Sequence, residues 1–186
     1  MSERCLEIGL LRYPGAQLAA VYGLGDLFAV ANRMAAGQGR EGLPRLRVSH
    51  WQADETGQLQ RMFDSLPQAE GTPQVVILPP CLDDAAEQPL AAVYRDWLRA
   101  QHGAGVLLAS VCAGAFALAE SGLLDGRTVT THWALAAQMA ARFPQVQVLP
   151  ERMVIDDGDL ITAGGLMAWT DLGLAIVTRL LGPTIA

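Results

Sequence analysis

The part of the sequence that most constrains the fold is the stretch 105–124, in which an apolar run ends at a cysteine and an amphipathic segment follows. Residues 106–111 form a short apolar run, which is typical of a strand buried on both faces of a parallel sheet. Beyond Cys112 the apolar positions recur at helical spacing, and Gly122 is a natural helix stop. The stretch therefore predicts a strand, a sharp turn at Cys112 and a helix.

A cysteine in that position has the sequence context of a nucleophile elbow. The small residues Ala113 and Gly114 allow the backbone to turn tightly. The unpaired N–H groups and positive dipole end of the following helix favour a thiolate at Cys112 and lower its pKa. The same residues also suit a buried cysteine that behaves as a small hydrophobic side chain. Taken alone, the stretch leaves both interpretations open.

Composition and charge limit the classes of protein to which the chain can belong. Its 186 residues, 51% hydrophobic and 17% charged, predict a single globular domain over 1–186. The net charge of −6 and the lack of a basic cluster argue against direct binding to nucleic acid or to an anionic membrane. No apolar run reaches the roughly 18–20 residues of a membrane span, and the N-terminal residues do not resemble a signal peptide. We therefore expect a cytoplasmic protein that does not associate with membranes.

The cysteines do not have the spacing of a metal site. Cys5, Cys81 and Cys112 lack CxxC or Cys/His ligand patterns, so the sequence predicts neither a disulfide framework nor a zinc site. We expect the protein to hold no metal and no cofactor.

Strand and helix patterns alternate along the rest of the chain. The stretch 46–51 alternates like a strand with one face in water, and 52–71 is polar and turn-rich, with room for a short hairpin. A second hairpin over 153–162 turns at an Asp-Gly pair. Besides the elbow helix, we predict helices at 18–35, 88–101, 134–143 and 163–180, and strands at 6–11, 46–51, 74–78, 106–111, 129–132, 146–149 and 153–155.

This alternation predicts an α/β sandwich with a mostly parallel sheet. Ligands of such sheets bind at the carboxyl ends of the strands. The predicted strand ends bring one set of residues to a single rim: Tyr13, 79–81, Cys112, His132, Gly164 and Gly165.

The elbow and the segment after it resemble a known family. The stretch 110–127, which ends in Leu-Leu-Asp-Gly-Arg, and the Thr-Thr-His-Trp at 130–133 resemble the PfpI branch of the class I glutamine amidotransferase-like superfamily. Within it, the chain is most similar to the amino-terminal domains of bacterial AraC-type transcriptional regulators, a similarity that the stretches 13–15, 22–32 and 163–172 support. The resemblance implies a flavodoxin-like three-layer sandwich and a homodimer with a small-molecule effector beside Cys112. DNA would be bound only through a C-terminal helix-turn-helix domain, which 1–186 does not contain.

The resemblance also implies which residues line the ligand site. They are Cys112, Ala113, Cys81, Tyr13, Ala20, His132, Gly164 and Gly165. Two of these positions, and Pro80 next to Cys81, depart from the enzymes of the superfamily. Ala113 stands where many enzymes have a histidine, and Ala20 stands where others have a carboxylate that holds the cysteine's proton. Pro80 occupies a glycine turn whose backbone N–H would bind an oxyanion, and proline has no N–H.

These departures favour a non-catalytic, ligand-sensing and dimerising domain of an AraC-type regulator. The alternative is a cysteine-dependent hydrolase or hydratase of the PfpI or isonitrile hydratase type. Its nucleophile would be Cys112, with His132 or water carrying the proton. A lone histidine is more often a structural hydrogen-bonding residue, so we expect His132 to serve the fold rather than catalysis.

Overall fold

The computed structural model describes residues 4–38, 42–83 and 89–186, and strands alternate with helices along these ranges. The helices are α1 (Leu18–Gly37), α2 (Ala92–Gly103), α3 (Gly114–Glu120), α4 (Ala136–Arg142) and α5 (Trp169–Leu181). A short 3₁₀ helix (Trp133–Leu135) precedes α4. The strands are β1 (Cys5–Leu11), β2 (Arg45–Ala53), β3 (Leu59–Asp64), β4 (Pro73–Leu78), β5 (Leu107–Val111), β6 (Thr128–Val129), β7 (Gln147–Val148), β8 (Val154–Asp156) and β9 (Leu160–Ala163).

The main sheet has seven strands in the order β3-β2-β1-β4-β5-β9-β8. Its five central strands are parallel, and the edge strands β3 and β8 pair antiparallel with β2 and β9. Numbered along the chain, the parallel strands follow the flavodoxin-like order 2-1-3-4-5. The order reverses between β1 and β4, so their carboxyl ends form the crevice in which such folds bind ligands.

Helices cover both faces of the sheet, which confirms the three-layer α/β sandwich. One core packs α1 and α5 against the inward side chains of one face, among them Ile8, Leu10 and Ile77. The other packs α2, α3 and α4 against the alternate residues, such as Leu11 and Leu78. Because the side chains of a strand alternate between faces, each central strand contributes to both cores.

Three predicted elements differ in their boundaries. The predicted helix 88–101 is wrong at its start, since Ala91 has an extended backbone (ψ 144°) and α2 begins after it; residue 88 lies outside the described residues. The predicted strand 129–132 ends at Val129, because the Thr130 N–H donates to the Thr162 side chain rather than to a neighbouring strand. The predicted helix 163–180 begins only at Trp169, since Ala163 belongs to β9 and Gly165 has a φ of +87°.

Strand β2 has no water-facing side in its central part, contrary to the sequence pattern. Arg47 and Ser49 alternate with its apolar residues, yet Arg47 is only 1% exposed and Ser49 is fully buried. Arg47 is buried because its guanidinium meets two carboxylates, Glu7 at 3.2 Å and Asp64 at 2.9 Å. The short hairpin expected within 52–71 forms instead between β2, which begins at Arg45, and β3, whose terminal Asp64 accepts a hydrogen bond from Arg47.

In the described part of the chain, no helix combines the length and the apolar character that crossing a bilayer requires. Residues 1–3, which belong to the segment judged unlike a signal peptide, lie outside the described residues, as do 39–41 and 84–88.

Candidate functional site

The turn predicted between β5 and α3 is present and its backbone is strained. Cys112 has a φ of +54°. Apart from glycines, no other described residue has a positive φ. Left-handed backbone costs a non-glycine residue about 1 kcal/mol or more, and such residues cluster at functional sites. Hydrogen bonds hold the turn on both sides. The Cys112 N–H donates to the Ala163 carbonyl at 2.8 Å, and the Thr131 hydroxyl donates to the Cys112 carbonyl at 2.8 Å.

Gly114 lets the start of α3 approach the end of β4. A Cβ atom at this position would lie 2.6 Å from the Pro79 carbonyl oxygen and 2.7 Å from that of Leu78. Both contacts are with backbone, which cannot swing aside as a side chain could. The glycine therefore fixes how closely the elbow lies against the crevice between β1 and β4.

The thiol of Cys112 is buried, with 4% of the residue exposed. Burial raises its pKa because the charged thiolate would lose its hydration, while the Ala113 N–H partly offsets this and the thiol of Cys81 adds to it. The pKa of Cys112 is thus raised, contrary to the lowering predicted from its place at the start of a helix. Cys112 is protonated at neutral pH.

Tyr13 and Cys81 lie beside the elbow at the carboxyl ends of β1 and β4. Tyr13 is buried and its hydroxyl donates to the Pro79 carbonyl. Its pKa is raised well above the ordinary value by burial, and then by the proximity of Cys81 and Cys112. Cys81 pairs with Ala16 in an antiparallel bridge. The site therefore brings the phenol of Tyr13 close to the thiols of Cys81 and Cys112, with Tyr13 and Cys112 in their neutral forms.

The loop after β4 is tied to the start of α1. The Gln17 N–H donates to the Pro80 carbonyl at 2.7 Å, and the Leu82 N–H donates to the Gly15 carbonyl at 2.8 Å. The side-chain oxygen of Gln17 is buried and has no hydrogen-bond partner among the described residues. A buried acceptor in this state calls for a donor from solvent or ligand. Sequence reasoning missed Gln17, although its place two residues after the Tyr-Pro-Gly turn was a signal.

His132 acts as a cap rather than as a partner of the thiol. It precedes the 3₁₀ helix, and its Nδ1 accepts the Ala134 N–H at 3.2 Å. Its ring lies against Trp133, which is 75% exposed. No hydrogen bond between described residues links His132 to Cys112. This geometry favours the structural role expected for a lone histidine.

The remaining predicted residues divide into two groups. Gly164 follows β9 and lies against Thr131, the residue whose hydroxyl bonds to the Cys112 carbonyl. A Cβ at Gly164 would lie 2.9 Å from the Thr131 carbonyl oxygen. Ala113 is buried directly after Cys112. Gly165 adopts a left-handed turn, and Ala20 is fully buried in the first turn of α1. The structure thus connects Tyr13, Cys81, Cys112, Ala113 and Gly164, whereas no described hydrogen bond or ring contact ties Ala20, Gly165 or His132 to the thiol.

Two cavities are lined in part by residues of α1. The smaller, of about 260 Å³, lies outside the Tyr13–Gly15 turn. The larger, of about 1170 Å³, lies between α1 and the β2–β3 hairpin and is lined by Tyr22, His50 and Phe63 among others. Neither is lined by Cys112. Sequence reasoning did not identify the larger cavity, because its lining comes from separate elements without a shared motif.

Among the described residues, no group of three or more histidine, cysteine or acidic side chains is placed to hold a metal ion.

Comparison with known proteins places this site in context. A family model described as "DJ-1/PfpI family" matches residues 67–179. The HTH-type transcriptional regulator CdhR of Pseudomonas aeruginosa is 39% identical over 105 residues, which are 55% of this chain and 31% of that protein. The isonitrile hydratase of Pseudomonas putida is 35% identical over 88 residues, 47% of this chain and 37% of the enzyme. The chain thus spans about a third of the length of these two relatives.

A solved structure shows the same fold over nearly the whole chain. The AraC family transcriptional regulator from Pseudomonas putida superposes with a TM-score of 0.71 at 18% identity, covering 97% of this chain and 95% of that one. At this identity the likeness concerns the fold alone.

Proposed function

The chain belongs to the DJ-1/PfpI family, and we propose that it is the ligand-sensing and dimerising domain of an AraC-type transcriptional regulator rather than an enzyme. The relative CdhR is named an HTH-type transcriptional regulator, and the structural neighbour is named an AraC family regulator. The name of CdhR, the more similar of the two in sequence, supports the regulator class over the hydratase class.

The observation that carries the proposal is the state of the elbow thiol. Cysteine nucleophiles react as thiolates and need a base or a cation nearby. Burial instead raises the pKa of Cys112, and Tyr13, which lies near it, is also held neutral by burial. The positions that would help catalysis hold Ala113, Ala20 and Pro80. The same arrangement suits a residue that faces a ligand without attacking it.

The proposed effector is a small molecule bound at the crevice between β1 and β4. Its site comprises the ligand-lining residues predicted from the sequence together with Gln17, whose buried side-chain oxygen would accept a hydrogen bond from the effector. The buried phenol of Tyr13 and the buried thiol of Cys112, both neutral, favour an uncharged polar molecule over an ion. The predicted residues are Cys112, Ala113, Cys81, Tyr13, Ala20, His132, Gly164 and Gly165.

The DNA contact would belong to another domain. The chain carries a net charge of −6, which opposes binding to a polyanion. We propose a cytoplasmic homodimer that reaches DNA through a helix-turn-helix module, and we expect the reading frame beyond codon 186 to encode a basic module of that kind. A stop codon there would count against the regulator.

The decisive experiment compares turnover by the wild-type protein and by Cys112→Ala. We expect neither to hydrate an isonitrile nor to hydrolyse an amide above the rate without protein, and both to show the same circular dichroism spectrum. Cys5→Ala is the matched control, since Cys5 lies at the other end of the parallel strands.

A rate that Cys112→Ala abolishes and Cys5→Ala retains would replace the proposal with the hydratase alternative. The strained φ of Cys112 and the isonitrile hydratase relative are the observations in favour of that alternative.

A further inference from the structure

The cavity of about 260 Å³ beside the turn 13–15 is bordered by three elements. Arg12 follows β1, Gln52 belongs to β2 and Tyr94 belongs to α2, and all three residues line the cavity. Tyr94 packs in the core on the α2 side of the sheet. The cavity therefore lies at the carboxyl ends of β1 and β2. Of its described lining residues, Tyr13 alone belongs to the elbow site as well.

Hydrogen bonds to the last residues of β2 bring the three side chains together. The Arg12 N–H donates to the Trp51 carbonyl at 2.7 Å, and the Ala53 N–H donates to the Tyr94 hydroxyl oxygen at 3.4 Å. Gln52 lies between Trp51 and Ala53. The backbone of β2 thus places a guanidinium, an amide and a phenol around one small cavity.

All three side chains carry hydrogen-bond donors that no described residue accepts. Tyr94 is only 6% exposed, and although its oxygen accepts from Ala53, its own hydroxyl hydrogen has no acceptor in the described ranges. Arg12 is half-buried, and no carboxylate of a described residue pairs with its guanidinium. The Gln52 amide likewise makes no hydrogen bond to a described residue. Buried donors are costly to leave unpaired, so this cavity calls for an acceptor.

The charge of the cavity favours an anion. Arg12 is the cation among its described lining residues, and none of those residues is acidic. The exposed Asp83 lies close by, since a Cβ on Gly15 would be 2.7 Å from one of its carboxylate oxygens, but Asp83 is not among the described lining residues. A single guanidinium matches a single negative charge, and it binds a carboxylate through paired hydrogen bonds.

We propose that this cavity binds a small aliphatic monocarboxylate. Its carboxylate pairs with the Arg12 guanidinium and accepts hydrogen bonds from the Tyr94 hydroxyl and the Gln52 amide. Its carbon chain lies along Pro14 and Leu18, an exposed apolar border on the opposite side of the cavity opening from none of these donors' backbone partners but within the same lining.

The volume of the cavity limits the length of this acid. A water molecule in the liquid occupies about 30 Å³, so 260 Å³ holds about eight non-hydrogen atoms. An acid of roughly four to six carbons has that size. The three donors belong to none of the residues assigned to the elbow effector, so this site goes beyond the regulator proposal and does not depend on Cys112.

The test is calorimetric titration of the purified chain with butyrate, which carries both the chain and the charge. Butyramide keeps the shape without the charge, and inorganic phosphate keeps a charge without the chain. We expect saturable butyrate binding with a Kd of about 1–10 mM, as befits so small a ligand, and binding of both controls about tenfold weaker or less. Amide NMR shifts should be confined to residues 12–18, the end of β2 and the start of α2.

Two pairs of variants separate the contributions of charge and hydroxyl. Arg12→Gln should weaken butyrate binding about five- to tenfold, whereas Arg179→Gln on α5 should leave it unchanged. Tyr94→Phe should weaken it about three- to fivefold, whereas Tyr22→Phe, at an exposed position of α1, should not. Circular dichroism checks that each variant is folded. Should Arg12→Gln fail to fold, Tyr94→Phe, which keeps the buried ring, still tests the site.

Several outcomes would overturn the proposal. They are the absence of saturable binding, equal affinity for butyrate and butyramide, unchanged affinity in Tyr94→Phe, and NMR shifts centred on the elbow. Phosphate that binds more tightly than butyrate would replace the carboxylate with an inorganic anion. We expect Cys112→Ala to bind butyrate as the wild type does. Failure here leaves the turnover test unaffected, since that test reports on Cys112.

Discussion

The elbow and the β2–β3 hairpin treat ionisable side chains in opposite ways. At the elbow, burial raises the pKa of Cys112 and of Tyr13, so both groups are neutral. At the hairpin, the hydrogen bond from Arg47 lowers the pKa of Asp64, and the same bond raises the pKa of Arg47. The buried charges of the hairpin thus support its architecture, whereas in the described part of the chain no ion pair and no hydrogen bond from a charged side chain reaches the Cys112 thiol.

The contrast shows why an elbow geometry alone does not indicate a nucleophile. Strand, turn and helix place a thiol at the helix start, but its charge state depends on the groups that surround it. The hairpin has those groups: Glu7 lies between Arg47 at 3.2 Å and Arg61 at 2.8 Å. No comparable ion pair between described residues involves Cys112.

Removal of the buried cation at the hairpin should have the largest effect. Arg47→Met would leave Glu7 and Asp64 buried without it, and we expect the free energy of unfolding to fall by about 3–5 kcal/mol. Arg179→Met is the control, because Arg179 pairs with Asp156 at the surface and should cost less than about 1 kcal/mol. Urea unfolding followed by circular dichroism measures both. Equal losses would mean that the hairpin network contributes no more than a surface ion pair.

A substitution at the elbow should destabilise the protein through packing rather than through charge. In Gly114→Ala the new methyl group meets two backbone carbonyls, and we expect a loss of about 2–3 kcal/mol. Gly103→Ala at the end of α2 is the control, since a Cβ there meets nothing within 4 Å; it should change stability by at most about 1 kcal/mol, toward greater stability. Thermal unfolding of the two variants compares them. A Gly114→Ala protein as stable as the wild type would show that the close approach of α3 to β4 is dispensable.

Much of this architecture could be predicted from local pattern. The apolar run 106–111, the small residues after Cys112 and the stop at Gly122 have one consistent solution, and the structure has it. The predicted ends of two elements were wrong. At Thr130 the backbone N–H bonds to a side chain instead of a neighbouring strand, and the small residues before α5 form a loop instead of a helix.

The elements of the site that escaped prediction depend on long-range contacts. Arg47 was expected in water because its partners, Glu7 and Asp64, belong to other strands. The thiol's protonation reflects burial by the whole rim, which the sequence around Cys112 does not reveal. His50 and Phe63 meet only when β2 and β3 pair, so their spacing along the chain does not predict the cavity that they line.

The smallest expected effect is on the alkylation rate of Cys112 and involves no substitution. Because the pKa of Cys112 is raised, its alkylation by iodoacetamide should be slow at pH 7 and rise with a midpoint above the value of about 8.5 for an ordinary cysteine. Peptide mass spectrometry over a pH series resolves each thiol, and the protein unfolded in urea supplies the reference midpoint. An alkylation midpoint below pH 7 for Cys112 in the folded protein would mean that the elbow holds a thiolate. The elbow would then hold a charged group, as the hairpin does.

The bridge between Ala16 and Cys81 lies just before α1, and this helix borders both the crevice at Tyr13 and Cys81 and the large cavity. Its first turn is fastened to the crevice through the Gln17 and Leu82 backbone hydrogen bonds, and its exposed side carries Tyr22 into the large cavity. An α-helix is stiff along its axis, and the 20 residues of α1 span about 30 Å. A single stiff helix therefore joins the loop of Cys81 to the wall that Tyr22 forms, about two turns from one to the other.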